Sequence, residues 1–443
     1  MSVRSGIAFK SSGVQCLGEI PAHWQVMRLK FLAAPKPFAI VDGPFGTQLK
    51  AEEYVSEGIP LVRVGDLDFS GNLSNADFVY ISEEKWSELR RSAIEGGDIV
   101  VAKTGATIGK CGLVPDDFQR GLIASSCIKI SPNRATVSPR FLLYLLVGRS
   151  SQEQILLAAG GSTRDTINIE PFGSVQVPLP PLGEQSAITA HLDQETARLD
   201  SLVAAKERVL GLLAEKRRAL ITRAVTRGLD PRSPLRDSGV PWLGEIPAHW
   251  EIERARWLFR ERDQRSETGE EELLTVSHLT GVSPRSEKDV NMFEAETTEG
   301  YKICLSGDLV INTLWAWMGA MGVSLVNGIV SPAYNVYQLG ARLESRYVDA
   351  LVRLPVFAEE VTRYSKGVWS SRLRLYPEGF FEVFLPVPPL SEQRAIVAHI
   401  ATETDKLDEL RAATELTTVL LKEHRAALIA AAVTGQIDVE SVA

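Results

Sequence analysis

Gly105-Ala-Thr-Ile-Gly109-Lys110 is one residue short of a Walker A phosphate loop, and Cys111 stands where Ser or Thr would hold magnesium. Gly43-Pro-Phe-Gly46 has no lysine in a position to help it. Pro115-Asp116 followed by Cys127-Ile-Lys129 lacks the second acidic ligand of a PD…(D/E)xK nuclease. Asn168-Ile-Glu-Pro-Phe172 only echoes the Asn/Asp-Pro-Pro-Tyr/Phe tetrapeptide of amino-methyltransferases. No GxGxxG opens a helix after a strand, and no HExxH occurs. The four cysteines, Cys16, Cys111, Cys127 and Cys304, form no CxxC pair, so neither a disulfide framework nor a zinc site is supported. Four of the six histidines (His23, His249, His191 and His399) fall in repeated sequence, which suits packing or capping better than catalysis. No residue pattern supplies a catalytic or metal site within this chain.

Binding chemistry is better represented. Residues 30–178 carry Lys50, Arg63, Lys103, Thr104, Lys110 and Arg164 in polar loops. Residues 256–386 carry His278, Arg285, Asn312, Trp315, Trp317, Tyr334, Trp369, Arg372 and Arg374. Arg, Lys, Asn and Ser side chains hydrogen-bond base edges and phosphates. For any one of these residues, the plainer reading is a surface charge or a core aromatic.

The elements that must position these residues are written twice. Gly13-Val-Gln-Cys-Leu-Gly-Glu-Ile-Pro-Ala-His-Trp24 recurs as Gly239-Val-Pro-Trp-Leu-Gly-Glu-Ile-Pro-Ala-His-Trp250, at an offset of 226. Pro180-Pro-Leu-Gly-Glu-Gln-Ser-Ala-Ile recurs as Pro388-Pro-Leu-Ser-Glu-Gln-Arg-Ala-Ile, at an offset of 208. Each half is therefore an opening motif, a variable body, a Pro-Pro hinge and a helical tail. Gly97-Asp-Ile-Val100 and Gly307-Asp-Leu-Val310 are turns feeding strands, with Ile99 to Ala102 and Leu309 to Ile311 as buried strands. Helices are predicted at Pro139–Val147 and Ser345–Leu354, so each body is a compact α+β domain.

The hinges cannot enter a helix. Gly183 and Ser391 are then placed as N-caps, Glu184 and Glu392 in the first turn, and Gly228 and Gly435 as stops. A 4,3 spacing predicts a heptad seam of Ile188, Leu192, Leu199, Leu202, Leu213 and Leu220 in the first tail. In the second it predicts Ile396, Ile400, Leu407, Leu410, Leu421 and Leu428. Glu195 and Glu403 are its polar breaks, expected to pin the register. Each tail would be about 65 Å long. Segment 206–237 has nine Lys/Arg against four Asp/Glu, and segment 401–443 has four against eight. A basic helix and an acidic helix should pack together, antiparallel by pseudo-twofold symmetry.

At 443 residues with 44% hydrophobic and 23% charged, the chain has the composition of a globular protein of two to four domains. No apolar run is long enough to span a membrane, and residues 1–10 show no secretory h-region, so a cytoplasmic protein is expected. The net charge of −8 argues against a freestanding nucleic-acid binder, but not against one with a local basic surface or a partner.

The doubled frame resembles the specificity subunit of Type I restriction-modification systems over nearly the whole chain. Gly46-Thr-Gln-Leu-Lys50, Leu274-Thr-Val-Ser277, Gly328-Ile-Val-Ser-Pro-Ala-Tyr334 and Arg372-Leu-Arg-Leu375 add to the resemblance. It implies two α/β-mixed target recognition domains joined by two long antiparallel coiled-coil helices. The expected division is 1–178 and 237–386 for the domains, with 179–236 and 387–443 for the helices and linker. Each domain would read one half of a split, asymmetric site in double-stranded DNA. The helices would dock two modification subunits that use S-adenosylmethionine. Restriction subunits with ATP- and Mg-dependent translocase and nuclease activity would complete the complex. This chain would hold no cofactor and no membrane contact. The alternative is a non-catalytic coiled-coil adaptor without DNA specificity.

Overall fold

A computed structural model of the chain describes residues 8–45, 47–74, 78–160, 165–288, 297–367 and 373–437. They form two compact units. The first is residues 1–206 with 416–443, and the second is residues 207–415. Each unit thus takes one body, the start of its own tail helix and the end of the other tail helix.

In the first body a four-stranded antiparallel sheet contains β1 (Ile40–Asp42), β2 (Ile99–Ala102), β3 (Cys111–Leu113) and β4 (Cys127–Ile130), in the order β1-β4-β2-β3. Helix α1 (Pro139–Val147) follows, then the long α2 (Leu182–Arg227). The second body repeats the sheet with β5 (Phe259–Glu261), β6 (Leu309–Asn312), β7 (Met321–Val323) and β8 (Tyr334–Leu339), in the order β5-β8-β6-β7. Helix α3 (Ser345–Val352) and the long α4 (Leu390–Val433) complete it. The registers match: Ile99 faces Ile130 and Leu309 faces Tyr337 across the central pairs. All four residues of β2 and of β6 are buried, as continuous apolar runs in central strands should be.

The doubled Gly-Asp has one job in both bodies. Gly97 and Gly307 have φ of +87° and +94°, a conformation that excludes most side chains. The next residue, Asp98 or Asp308, then accepts the backbone N–H three residues back, from Glu95 (3.2 Å) or Leu305 (2.9 Å). Each buried carboxylate also needs a cation. Asp98 takes Lys129 Nζ at 3.0 Å from β4, whereas Asp308 takes Arg262 in two bonds of 2.7 and 3.1 Å. Lys129 is thereby committed to the core, which removes the only lysine of the nuclease-like pattern.

Each body is closed by pairing a strand of the opening motif with the strand before the hinge. Gln25–Arg28 pairs with Gln176–Leu179, and Glu251–Arg254 with Phe384–Val387. The core of the first unit joins Trp24, Phe141 and Phe172 to Ile188 and Leu192 of α2 and to Leu428 and Val433 of α4. That of the second joins Trp250, Tyr347 and Phe380 to Val225 of α2 and Ile396 of α4. Burying each such side chain stabilises by about 1.5–3 kcal/mol.

The helices begin at Leu182 and Leu390, so Gly183 and Ser391 are helical and not N-caps. They end before Gly228 and Gly435, with φ of +71° and +73°. Within each unit the two helical segments run antiparallel. In the first, Trp24 bonds Glu184 near the start of α2 and packs against Gly435 beyond the end of α4, while Asp200 pairs with Arg425 at 2.9 Å. In the second, Gly228 packs against Trp250 and Glu392, while Arg217 pairs with Asp408. The offset of 208 exchanges these two ion pairs, carrying Asp200 to Asp408 and Arg217 to Arg425.

The seam differs from the predicted one at one matching apolar position in each helix and at its polar breaks. Ile188, Leu192, Leu199, Leu213, Ile396, Leu407 and Leu428 are buried, and Leu220, Ile400 and Leu421 half-buried. Leu202 and Leu410 are 43% and 51% exposed. Burial falls instead on Thr196 and Thr404, one residue beyond Glu195 and Glu403. The buried hydroxyls are satisfied inside their own helix, Thr196 donating to Leu192 O at 2.6 Å and Thr404 to Ala401 O at 3.1 Å. Glu195 and Glu403 pair with Arg198 and Lys406 on their own helices, so they do not set the register. The two Asp–Arg pairs between helical segments are better placed to do so.

Candidate nucleic-acid interface

The frame that supports the candidate site is held by a repeated latch. Gln185 and Gln393, each the second residue of the doubled Glu-Gln, are fully buried. Gln185 Oε1 accepts from Ser138 N (2.9 Å), while Nε2 donates to Thr136 O (3.0 Å) and Pro180 O (2.9 Å). Gln393 Oε1 accepts from Glu344 N (2.8 Å), while Nε2 donates to Arg342 O and Pro388 O, both at 2.8 Å. Ser138 and Glu344 are the N-cap residues of α1 and α3. One amide therefore ties the start of each long helix to the helix of its body. His23 and His249 contact the adjacent Glu184 (2.6 Å) and Glu392 (2.8 Å). Two of the four repeated histidines thus tie the opening motifs to the long helices, while His191 is half-buried and His399 exposed.

On that frame, the ends of the equivalent strands β2 and β6 carry different chemistry. Lys103 and Thr104 follow β2. Lys103 Nζ lies 3.3 Å from Asp42 Oδ2 at the end of β1, and Arg91 reaches the other oxygen at 3.4 Å. The loop returns through Lys110, whose carbonyl accepts from Ala102 N at 2.8 Å and whose Nζ sits 5.7 Å from the centre of the Phe69 ring. Lys103, Thr104 and Lys110 thus share one short loop. Lys50 is exposed at the head of a turn, its N–H donating to Glu53 at 2.7 Å. Arg63 is half-buried beside Asp66, 3.9 Å from its carboxylate. Arg164 lies outside the described residues.

In the second body, five predicted residues meet around one open cavity of about 680 Å³: His278, Arg285, Asn312, Trp315 and Tyr334. Asn312 ends β6 and is buried. Tyr334 faces it across the strand pair. Burial raises the Tyr334 hydroxyl above its usual pKa, so it remains a protonated donor at neutral pH. Trp315 is half exposed and stacks on Trp317, with centroids 6.4 Å apart and planes 16° off parallel. Thr275, Tyr301 and Ser331 complete the polar and aromatic lining and were not among the predicted residues. Arg374 is not part of the cavity lining; it covers the Tyr376 ring at 5.9 Å. Arg372 and Trp369 lie outside the described residues. An amide, a guanidinium and flat rings around one hollow suit hydrogen bonding to planar, polar edges, with stacking beside them.

Residues 46–209 match the family of Type I restriction modification DNA specificity domains. A putative Type I restriction enzyme MjaX specificity subunit from Methanocaldococcus jannaschii is 25% identical over 240 residues, which is 53% of this chain and 52% of the relative. The chain is thus similar to Type I restriction-modification specificity subunits over its first body and the start of its first long helix. It spans about half the length of the curated relatives it matches. Two solved structures share its fold at 18% identity. One, from work on assembly and conformational transition of the type I R-M system, has a TM-score of 0.65 and aligns 94% of this chain with 99% of its own. The other, the HsdS subunit from Thermoanaerobacter tengcongensis, has a TM-score of 0.53 and aligns 94% with 98%.

Among the described residues, no group of three or more His, Cys, Asp or Glu could hold a metal ion. No described helix is long and apolar enough to cross a membrane. Burial pushes the thiols of Cys111, Cys127 and Cys304 up to about 12, so none is a ready nucleophile. Sequence reasoning missed the Gln185 and Gln393 latches. Their signal was present: both glutamines recur at the offset of 208, directly after the recurring Glu184 and Glu392.

Proposed function

We propose that the chain is the DNA sequence-recognition subunit of a Type I restriction-modification complex. Each body reads one half of a bipartite, asymmetric site in double-stranded DNA. The chain itself is non-catalytic. Modification subunits holding S-adenosylmethionine dock on the long helices, and ATP- and Mg-dependent restriction subunits join them. The observation that carries this reading is one frame, repeated contact for contact, presenting unlike strand ends at 102–110 and around Asn312. Docking on the helices is supported by the apolar side chains they leave exposed, including Leu202, Leu212, Leu410, Leu416 and Leu420.

The test is a body exchange. Residues 30–178 are replaced with the matching body of a relative, and the methylated motif is read by sequencing the methylome of cells carrying the complete system. One half of the motif should change while the other half stays. A motif that changes in both halves together, or in neither, would overturn the reading.

A further inference from the structure

The basic strip of the first tail does not find its countercharge. Arg217 reaches Asp408, but Arg218 and Arg223 make no ion pair among the described residues, and Arg227 comes only within 4.0 Å of Glu245. Arg218, Arg223 and Arg227 are all exposed. They line a groove of about 760 Å³ in the second unit, with Thr222, Trp242 and Pro355 among its other walls. The Trp242 Nε1 is buried at that groove without a hydrogen-bond acceptor, its ring set edge-on against Phe357 at 5.3 Å. A buried N–H without an acceptor is rare in native proteins.

The repeat shows that these arginines are not needed for the fold. The offset of 208 carries Arg218, Arg223 and Arg227 to Ala426, Ala431 and Gly435. The two tails share the glutamine latch and the exchanged Asp–Arg pairs. The cationic groove is therefore an addition to one unit.

We propose that this groove binds the phosphodiester backbone of DNA without regard to sequence, so that the second unit anchors the duplex more strongly than the first. The proposal rests on the DNA-recognition reading above. Arginine is the side chain best shaped for bidentate contact with phosphate. Steps of five and four residues space the three side chains about 6 to 7.5 Å apart along the helix. Asp230 also borders the groove, but Arg232 stands 3.8 Å from it.

The experiment measures binding of the full-length chain to a fluorescein-labelled, random-sequence duplex of about 40 base pairs, by anisotropy between about 50 and 200 mM salt. R218A/R223A removes two exposed side chains without ion-pair partners. The log–log salt slope should fall by about 1.8, since each phosphate contact contributes about 0.9. R218K/R223K should retain most of the slope. A426R, which copies one arginine onto an exposed position of the other tail, should steepen it. An unchanged slope in R218A/R223A overturns the proposal, as does a wild-type chain that leaves the duplex unbound at the lowest salt. Poly-glutamate binding that depends on these arginines while duplex binding does not would assign the groove to an acidic protein segment, and also overturns it. The body exchange reads sequence choice and not the salt slope, so failure of the groove and failure of the recognition reading are separate results.

Discussion

At the end of β2 the first body sets Lys103 and Arg91 around Asp42, whereas at the end of β6 the second body sets Asn312 on a cavity edged by Arg285, Tyr334 and Trp315. The strands occupy the same place in the same sheet, and behind them the same glutamine latch holds the same long helix. The difference teaches where variation is tolerated. Side chains at the strand end border an open cavity or a short loop, and the two bodies fill those places differently. The latch residues are fully buried and have every amide bond committed, so changing them leaves polar groups stranded.

The largest expected effect tests the sameness of the frame. Gln185→Ala strands Ser138 N–H and two carbonyls, and Gln393→Ala strands the matching three groups. Each should lower unfolding stability by about 2 to 4 kcal/mol, measured from urea denaturation. Near-equal losses are expected. A latch that could be removed from one copy at no cost would break the comparison.

An intermediate effect tests the difference between the sites. Asn312→Ala should relax the choice of base at one position of one half-site by about 1–3 kcal/mol, and Lys103→Ala should affect only the other half. Methylome sequencing of each variant reads both halves at once. Both variants acting on the same half would show that the two strand ends do not serve separate half-sites.

The smallest effect concerns the exchanged ion pairs. Arg425 is 12% exposed in its pair with Asp200, while Arg217 is 40% exposed in its pair with Asp408. Asp408→Ala should therefore cost no more than about 1 kcal/mol. Asp200→Ala should cost more, about 1 to 2 kcal/mol, because it leaves a buried guanidinium without its carboxylate. Denaturation at low and high salt separates them, since screening should erase the Asp408 effect first. Equal costs would mean that burial does not distinguish the pairs.

Much of the frame was legible because it is local or repeated. The β2 and β6 strands follow from continuous apolar runs after a Gly-Asp turn, and the long helices from uninterrupted heptad spacing between a Pro-Pro hinge and a glycine. The seam was legible only to within one residue. Leu202 and Val203 are both apolar neighbours on the helix, and spacing alone cannot say that Leu202 is exposed and Val203 half-buried. The second site was more legible than the first, because five of its residues proved to line one cavity, whereas Lys50 and Arg63 each head a turn of their own.

The sequence by itself determined that the chain is a doubled frame around unlike bodies, with two helices of matching length and stop. Those properties depend on residue type and short-range spacing, which act within a few turns of chain. Only the tertiary structure decided that each Trp of an opening motif packs on the tail end of the other repeat, Trp24 on Gly435 and Trp250 on Gly228. It also decided which carboxylate each arginine meets and which arginines meet none. Two tails with the same motif and the same spacing are equally able to fold back on their own body or to complete the other. The choice rests on tertiary contacts, Trp24 with Gly435 and Arg217 with Asp408 among them, whose free energy no local pattern records.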